Sequence, residues 1–376
     1  MIQYAKAAIS LAFRKRKALN DPISVIVDTS NICNLNCIMC HRSMSFYKEP
    51  EKKFLKPDIL ERIYSQVKPM LLSFGGLIGE PLMNRDISKL VRTASNNDSK
   101  SLMTTNGHLL DEATANELID SGIHLIKVSV DAATQETYQK IRQNENFNRV
   151  INNIKRFGDI EEKKRNQRNA LRLEYVIQKE NIDEIIPFIH MSKDIKVLNI
   201  TFLPLNFIPA PDLKNSFHED YDLEKIVNIL KKADKISKAI GVFTNIPYLL
   251  KGVDEVDNLN NFVGNEFEHY SIFPWHKYSS AKRTICSLPW IELVIDLNGN
   301  VSVCCVPFTP GRMEKGLVIG NIIDNTLKEI WNGKKIQRLR KLCSSKENYK
   351  AFKLCRMCVN RPYIWGEIMK NRIFKK

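Results

Sequence analysis

The chain has 376 residues, 43% hydrophobic and 26% charged, which suits a sizeable core and excludes a disordered chain; domains of about 100–250 residues make two the expectation. Its charge of +15 fits an acidic partner, a phosphorylated substrate or anionic lipid, but no aromatic-plus-basic pattern marks a nucleic-acid module. No apolar run reaches the roughly 18–20 residues of a membrane span, and nine cysteines without a signal peptide point to reduced thiols in a cytoplasmic protein, not to a disulfide framework.

In chain order, residues 1–21 come first. Ala7 to Phe13 is apolar and Arg14-Lys15-Arg16-Lys17 follows it, whereas a signal peptide carries its charges before the apolar core. This reads as an amphipathic surface helix packing on the barrel, with contact to membrane lipid as the lesser alternative. From 22 to 210, β-rich runs alternate with amphipathic stretches, the pattern of parallel strands joined by crossover helices. The strands are expected over Ser24–Asp28, Met70–Phe74, Ser101–Thr105, Leu125–Val130, Leu171–Ile177 and Val197–Phe202. Helices are expected over Asp58–Val67 and Asp111–Ser121. The fold class is α/β, a partial (β/α)6 TIM-like barrel.

A bridging segment over 211–283 interrupts the alternation and holds a helix at Leu223–Ile240. The remainder, 284–376, is expected to form a smaller domain. There Ile291–Leu297 and Val301–Cys305 flank Asn298-Gly299, the signature of a β-hairpin with a two-residue turn. Basic runs such as Lys163-Lys164-Arg165 read as solvated helix faces.

Cys33, Cys37 and Cys40 form C-x3-C-x2-C after the first strand, at the strand end where barrel active sites lie. Three thiolates hold three irons of a [4Fe–4S] cluster and leave the fourth open. A zinc knuckle completed by a distant ligand such as His41 is the alternative.

With these cysteines the chain resembles the radical S-adenosylmethionine (SAM) superfamily across residues 22–205. The resemblance implies that the open iron chelates SAM and that one electron splits SAM to give a 5′-deoxyadenosyl radical. Gly79-Glu80-Pro81 resembles the family's Gly-Glu-Pro motif, which implies that Glu80 accepts hydrogen bonds from the SAM ammonium. Thr104-Thr105-Asn106-Gly107, Ser129-Val130-Asp131 and Arg142 match further elements. They imply that Ser129 and Arg142 contact the SAM carboxylate and that Asn106 or Asp131 lies beside it. Two departures stand out: Met39 replaces the aromatic residue that commonly covers the adenine, and Gly75-Gly76 is separated from Gly79-Glu80 by two residues.

Near the end, Cys286, Gly299-x4-Cys304 and Cys355-x2-Cys358 form a second constellation, either four thiolates closing a cluster or a structural zinc ribbon. With Gly320-Asn321-Ile322 and Ile330-Trp331-Asn332 it resembles the SPASM extension or its shorter relative, twitch. No cysteine follows Cys358, so one auxiliary [4Fe–4S] cluster is expected. Cys305 and Cys343 are left over. Adjacent strand residues face opposite ways, which favours Cys304 over Cys305 as the ligand. Cys305 stands where some related dehydrogenases carry an acid.

The resemblance implies a radical SAM oxidoreductase that abstracts hydrogen from a substrate carbon, first of all in a sugar or aminocyclitol-type alcohol. The alternatives are a peptide-modifying maturase, disfavoured by the short segment before the first strand, and a non-catalytic metal-binding scaffold. Glu174, Tyr175, Gln178 and His276 are candidate barrel-mouth residues; no catalytic base is assigned. A flavodoxin or ferredoxin is the expected electron donor, attracted by the basic surface.

Overall fold

Alternation of apolar side chains sets the architecture. In the strands β1 (Ser24–Asp28), β2 (Leu71–Gly75), β3 (Lys100–Thr105), β4 (Leu125–Ser129), β5 (Leu171–Ile177) and β6 (Asn199–Pro204), residues such as Val25, Val27, Leu72, Phe74, Val128 and Leu173 are buried in one continuous core. The period of two puts Ser73, Lys127, Ser129 and Glu174 on the other face, towards the barrel lumen. A computed structural model describes residues 2–44, 47–75, 77–144, 146–204, 223–250, 286–308 and 315–344.

The helices are α1 (Ile2–Ala12), α2 (Pro57–Tyr64), α3 (Ile87–Asn96), α4 (Glu112–Asp120), α5 (Gln135–Arg142), α6 (Phe147–Arg165), α7 (Ile185–Asp194) and α8 (Leu223–Ile240). Their starts follow from local chemistry. Pro57 opens α2, and the Asp111 carboxylate accepts from the Thr114 amide at the start of α4. At α5 the Thr134 hydroxyl accepts from the Thr137 amide. The Glu184 carboxylate also accepts from Ala133 N and from the Thr134 and Thr137 hydroxyls, which ties α5 to the start of α7.

Strands β1 to β6 pair in parallel and in sequence order, as the barrel expectation requires. The two-residue β7 (Phe243–Thr244) extends the β6 edge. At the opposite edge, β8 (Glu292–Ile295) pairs in parallel with β1, and β9 (Asn300–Ser302) and β10 (Val318–Asn321) continue antiparallel. One ten-stranded sheet therefore runs across the expected boundary at residue 284.

The expected hairpin is present, but its strands are shorter and Asp296–Gly299 connects them. The Asp296 carboxylate accepts from the Asn298 and Asn300 amides and from Asn300 Nδ2, an Asx-type closure that competes with strand pairing. Gly299 takes the left-handed φ of 78° needed there. Because β9 stops at Ser302, Cys304 and Cys305 lie in a bend, and strand alternation does not choose between them.

The segment after α1 is fastened to the C-terminal region. Trp290 Nε1 donates to Lys15 O, Asn332 Oδ1 accepts from Ala18 N, and Trp331 Nε1 donates to Asn20 O. Arg340, on the helix α10 (Lys334–Cys343) that follows the short α9 (Leu327–Trp331), is fully buried. Its guanidinium donates to Pro289 O, Arg16 O, Asn332 Oδ1 and Trp331 O and lies over the Trp331 ring. Burial pulls its pKa down, but four oxygen acceptors and the intrinsic basicity of guanidinium keep it charged. Arg340→Met should cost on the order of 3 kcal/mol by orphaning buried carbonyls, and Arg340→Lys should not restore it, because one ammonium cannot span four acceptors. Urea unfolding midpoints check both.

Candidate cluster and cofactor site

The loop after β1 carries Cys33, Cys37 and Cys40, and its shape is fixed from three sides. Glu80 N donates to Ile32 O at 2.7 Å, and a Cβ on Gly79 would fall 1.9 Å from Ser30 O, so only glycine lets the β2 loop come this close. From the far side, Ile38 N donates to Ile141 O at the end of α5. Arg42 holds the exit, donating to Asn31 O, the Tyr47 hydroxyl and Glu49.

The sulfurs meet N–H donors. Cys33 Sγ receives Leu35 N at 3.4 Å and Asn106 Nδ2 at 3.8 Å, and Cys37 Sγ receives Arg142 Nη1 at 3.6 Å. Burial pushes the Cys33 thiol up to about 11 and raises Cys40 as well. These thiols stay protonated until a metal displaces the proton, and N–H donors then suit the resulting thiolates. Among the described residues, no three His, Cys, Asp or Glu side chains converge as ligands of a single metal ion.

Glu80 is buried. Its Oε1 accepts from the Thr105 hydroxyl at 2.5 Å and Leu82 N at 3.1 Å, and its Oε2 accepts from Asn106 N at 2.8 Å. A carboxylate offers about four acceptor positions, so one stays open on Oε2 for a cationic ligand. Burial raises its pKa against these hydrogen bonds. Arg142 makes a 2.5 Å ion pair with the fully buried Asp131. Asp131 Oδ1 accepts from Val176 N at 2.7 Å, and its backbone sits at a left-handed φ of 63°. Burial opposes charge on both partners, but the contact with Asp131 keeps Arg142 protonated. Arg142 Nε is buried without a partner.

The profile of the radical SAM superfamily matches residues 27–191, and that of the SPASM iron–sulfur cluster-binding domain matches 286–359. The chain belongs to the radical SAM superfamily. A probable GTP 3′,8-cyclase of Methanocaldococcus jannaschii is 26% identical over 65% of this chain and 78% of its own length. One from Saccharolobus islandicus is 28% identical over 55% of this chain and 64% of its own length, so the chain spans less than two thirds of that relative. Among solved structures, Streptococcus suis SuiB has a TM-score of 0.63 at 16% identity, over 92% of this chain and 75% of its own. The protein anSMEcpe with bound AdoMet has 0.59 at 19%, over 90% and 88%. These likenesses show the fold.

Radical SAM and SPASM domains bring a SAM-binding [4Fe–4S] cluster and auxiliary iron–sulfur clusters, and the residues around the first cysteines fit: three thiols, N–H donors on two of them, one open carboxylate position and one orphaned guanidinium N–H. Cys33, Cys37, Cys40, Glu80, Asn106 and Arg142 come together around the loop after β1. Gly79 packs backbone against the cluster loop. Met39 lies half-buried between the second and third cysteines, and Ser129 ends β4 on the lumen face. Asp131 lies behind Arg142. Cys286 and Cys304 pack beside the core, whereas the buried Cys343 is part of it. Cys355, Cys358 and His276 lie outside the described residues.

Tyr175 is corrected. It points away from the lumen, packed on Phe188 and Phe202 with its hydroxyl donating to Asn181 O, because it shares the parity of Leu173 and Ile177. Gln178 is fully buried with both amide atoms unpartnered. Sequence reasoning quoted Thr105 within its motif but missed that it holds Glu80, and it missed the ion pair of Lys127 with Glu174 at 3.3 Å on the lumen face. Period-two alternation alone places the last two together with Arg172.

Asp28 ends β1 on that same face, buried, its Oδ1 accepting from Leu77 N. Burial pushes its carboxyl up to about 7. The folded chain then binds more protons than the unfolded one between the ordinary carboxylate range and pH 7, so stability falls as pH rises through that window. Asp28→Asn should flatten this slope, seen in denaturant midpoints from pH 4 to 8. Arg142→Met should cost about 3–5 kcal/mol by leaving Asp131 uncompensated, with much of that recovered in Arg142→Met/Asp131→Asn; thermal melts of the two variants check it.

Proposed function

We propose that this radical SAM protein reductively cleaves SAM and takes a hydrogen atom from a carbon of a small hydroxylated substrate, a sugar or aminocyclitol-type alcohol, with net oxidation. The observation that carries this reading is the polar lumen face. Thr104, Lys127, Ser129, Arg172, Glu174 and Thr201 share it by register across β3 to β6, where an apolar substrate would strip water from these groups and offer them no hydrogen bonds in return.

When bound, the clusters and SAM supply the radical and an acceptor for the electron left on the substrate. The chain's own part is positioning and proton handling. Lys127 and Glu174, held against each other, present a donor and an acceptor to substrate hydroxyls. Asp28 Oδ holds or releases a proton near neutral pH, as loss of a hydroxyl proton requires. Cys33, Cys37 and Cys40 would hold the first cluster, Glu80 would accept from the SAM ammonium, and Ser129 with Arg142 Nε would donate to its carboxylate. Cys286, Cys304, Cys355 and Cys358 hold one auxiliary cluster. An acidic flavodoxin or ferredoxin supplies electrons.

A second reading, a phosphorylated substrate, is favoured by the lumen cations Lys127 and Arg172 and by the GTP 3′,8-cyclase relatives. The peptide-maturase alternative draws on likeness of fold alone.

Anaerobically reconstituted protein should hold about eight irons per chain, two cubanes, and form 5′-deoxyadenosine from SAM and dithionite. Cys33, Cys37 and Cys40 changed together to Ala should halve the iron and abolish that product. Glu174→Gln should keep SAM cleavage but lower substrate turnover by about 100-fold or more. Cleavage unchanged in the triple variant, or iron replaced by zinc, overturns the reading. Turnover of nucleotides but not of polyols selects the phosphorylated class.

A further inference from the structure

Helix α1 carries apolar side chains on two sides, one set packed on the core and a second facing outward. Its protein-facing side sets Tyr4 and Leu11 against the core around the fully buried Ala7 and Ser10; the Ser10 hydroxyl accepts from Leu19 N at 2.9 Å, and Gln3 Oε1 accepts from Asp21 N. Three further bulky apolar residues point outward. Ile2 is 73% exposed, Ile9 43% and Phe13, just beyond the helix, 74%. At about 100° per residue these three positions fall within roughly 40° of one another, a single stripe along the outer face. Of the nine large apolar side chains exposed among the described residues, four lie in the first nineteen positions, Leu19 being the fourth. Chance scatter over a surface does not concentrate them so.

The same segment is basic without exception. Lys6, Arg14, Lys15, Arg16 and Lys17 are all exposed, and no acidic residue precedes Asp21. Arg14 takes a left-handed φ of 49°, and Lys15 N donates back to Ser10 O, so the chain turns sharply at the helix end. The basic run is then held through its backbone: Lys15 O accepts from Trp290 and Arg16 O from the buried Arg340. The core grips main-chain oxygens and leaves the side chains to solvent.

We propose that this face seats on an anionic lipid bilayer surface, with α1 lying in the plane of the interface, Ile2, Ile9 and Phe13 entering the acyl boundary and the basic run meeting lipid phosphates and carboxylates. An outward apolar stripe bordered only by cations is the composition an anionic interface selects. At about 16 Å the helix lies on the membrane and does not cross it, in keeping with no helix among the described residues being long and apolar enough to span one. The enzyme thereby works next to a membrane surface whatever its substrate.

Flotation of the full-length chain with vesicles tests this. Binding is expected to phosphatidylcholine vesicles containing phosphatidylserine, and about tenfold or more weaker to phosphatidylcholine alone. It should collapse as salt rises from 0.1 to 1 M, where the screening length drops from about 10 to about 3 Å. Ile9→Glu/Phe13→Glu should abolish flotation, while its unfolding midpoint and iron–sulfur absorption stay as in the unaltered chain, because both side chains are exposed. No flotation at low salt overturns the proposal, as does a double variant that floats equally well. Failure to float combined with a self-association that the double variant removes would assign the face to a protein contact instead.

Discussion

Arg142 is the interaction on which the site depends. One guanidinium, wholly inside the protein, joins the α5 end to Asp131 after β4 and to the sulfur of Cys37 on the loop after β1. A buried cation is tolerable only when its partners are fixed, and here they are: Asp131 is locked by the Val176 amide and a left-handed backbone. The Ile38–Ile141 backbone hydrogen bond holds the cysteine loop in register with the helix. The barrel thus shapes the cysteine loop through contacts of its own residues.

The rest of the site is built outward from that loop by the same means, close backbone approach and charge-assisted hydrogen bonds. Gly79 brings the β2 loop against Ser30 and sets Glu80 in place. Thr105 and Asn106, at the end of β3, then consume three quarters of the carboxylate's accepting capacity together with Leu82. What remains, one lone-pair direction on Glu80 and the Nε of Arg142, is a matched acceptor and donor, the complement of an amino acid's ammonium and carboxylate.

At the other edge, a second buried arginine organises the C-terminal region. Arg340 collects oxygens from the residues after α1, from the turn before β8 and from the end of α9. The parallel pairing of β8 with β1 makes the SPASM hairpin continuous with the radical SAM sheet. Cys286 and Cys304 therefore sit on a frame rigidly tied to β1, the strand that leads into the first cysteines.

The sequence by itself determined the element types and the six strands of the barrel, because period-two burial is a local signal, while Glu80, Asn106 and Arg142 were legible only through resemblance to the superfamily's motifs. Only the tertiary structure decided which groups meet. That Arg142 reaches Cys37, 105 positions away, and that Thr105 locks Glu80 are long-range contacts that no window of sequence contains. Tyr175 looked like a mouth residue until strand parity turned it into the helix layer. Asp296 shortened the hairpin strands through a side-chain competition with backbone pairing that composition does not reveal. The outward face of α1 was equally illegible, since an amphipathic pattern gives two faces and only the packing of Tyr4, Ala7 and Leu11 on the core, with Ser10 bound to Leu19 and Gln3 to Asp21, tells which of them the protein covers.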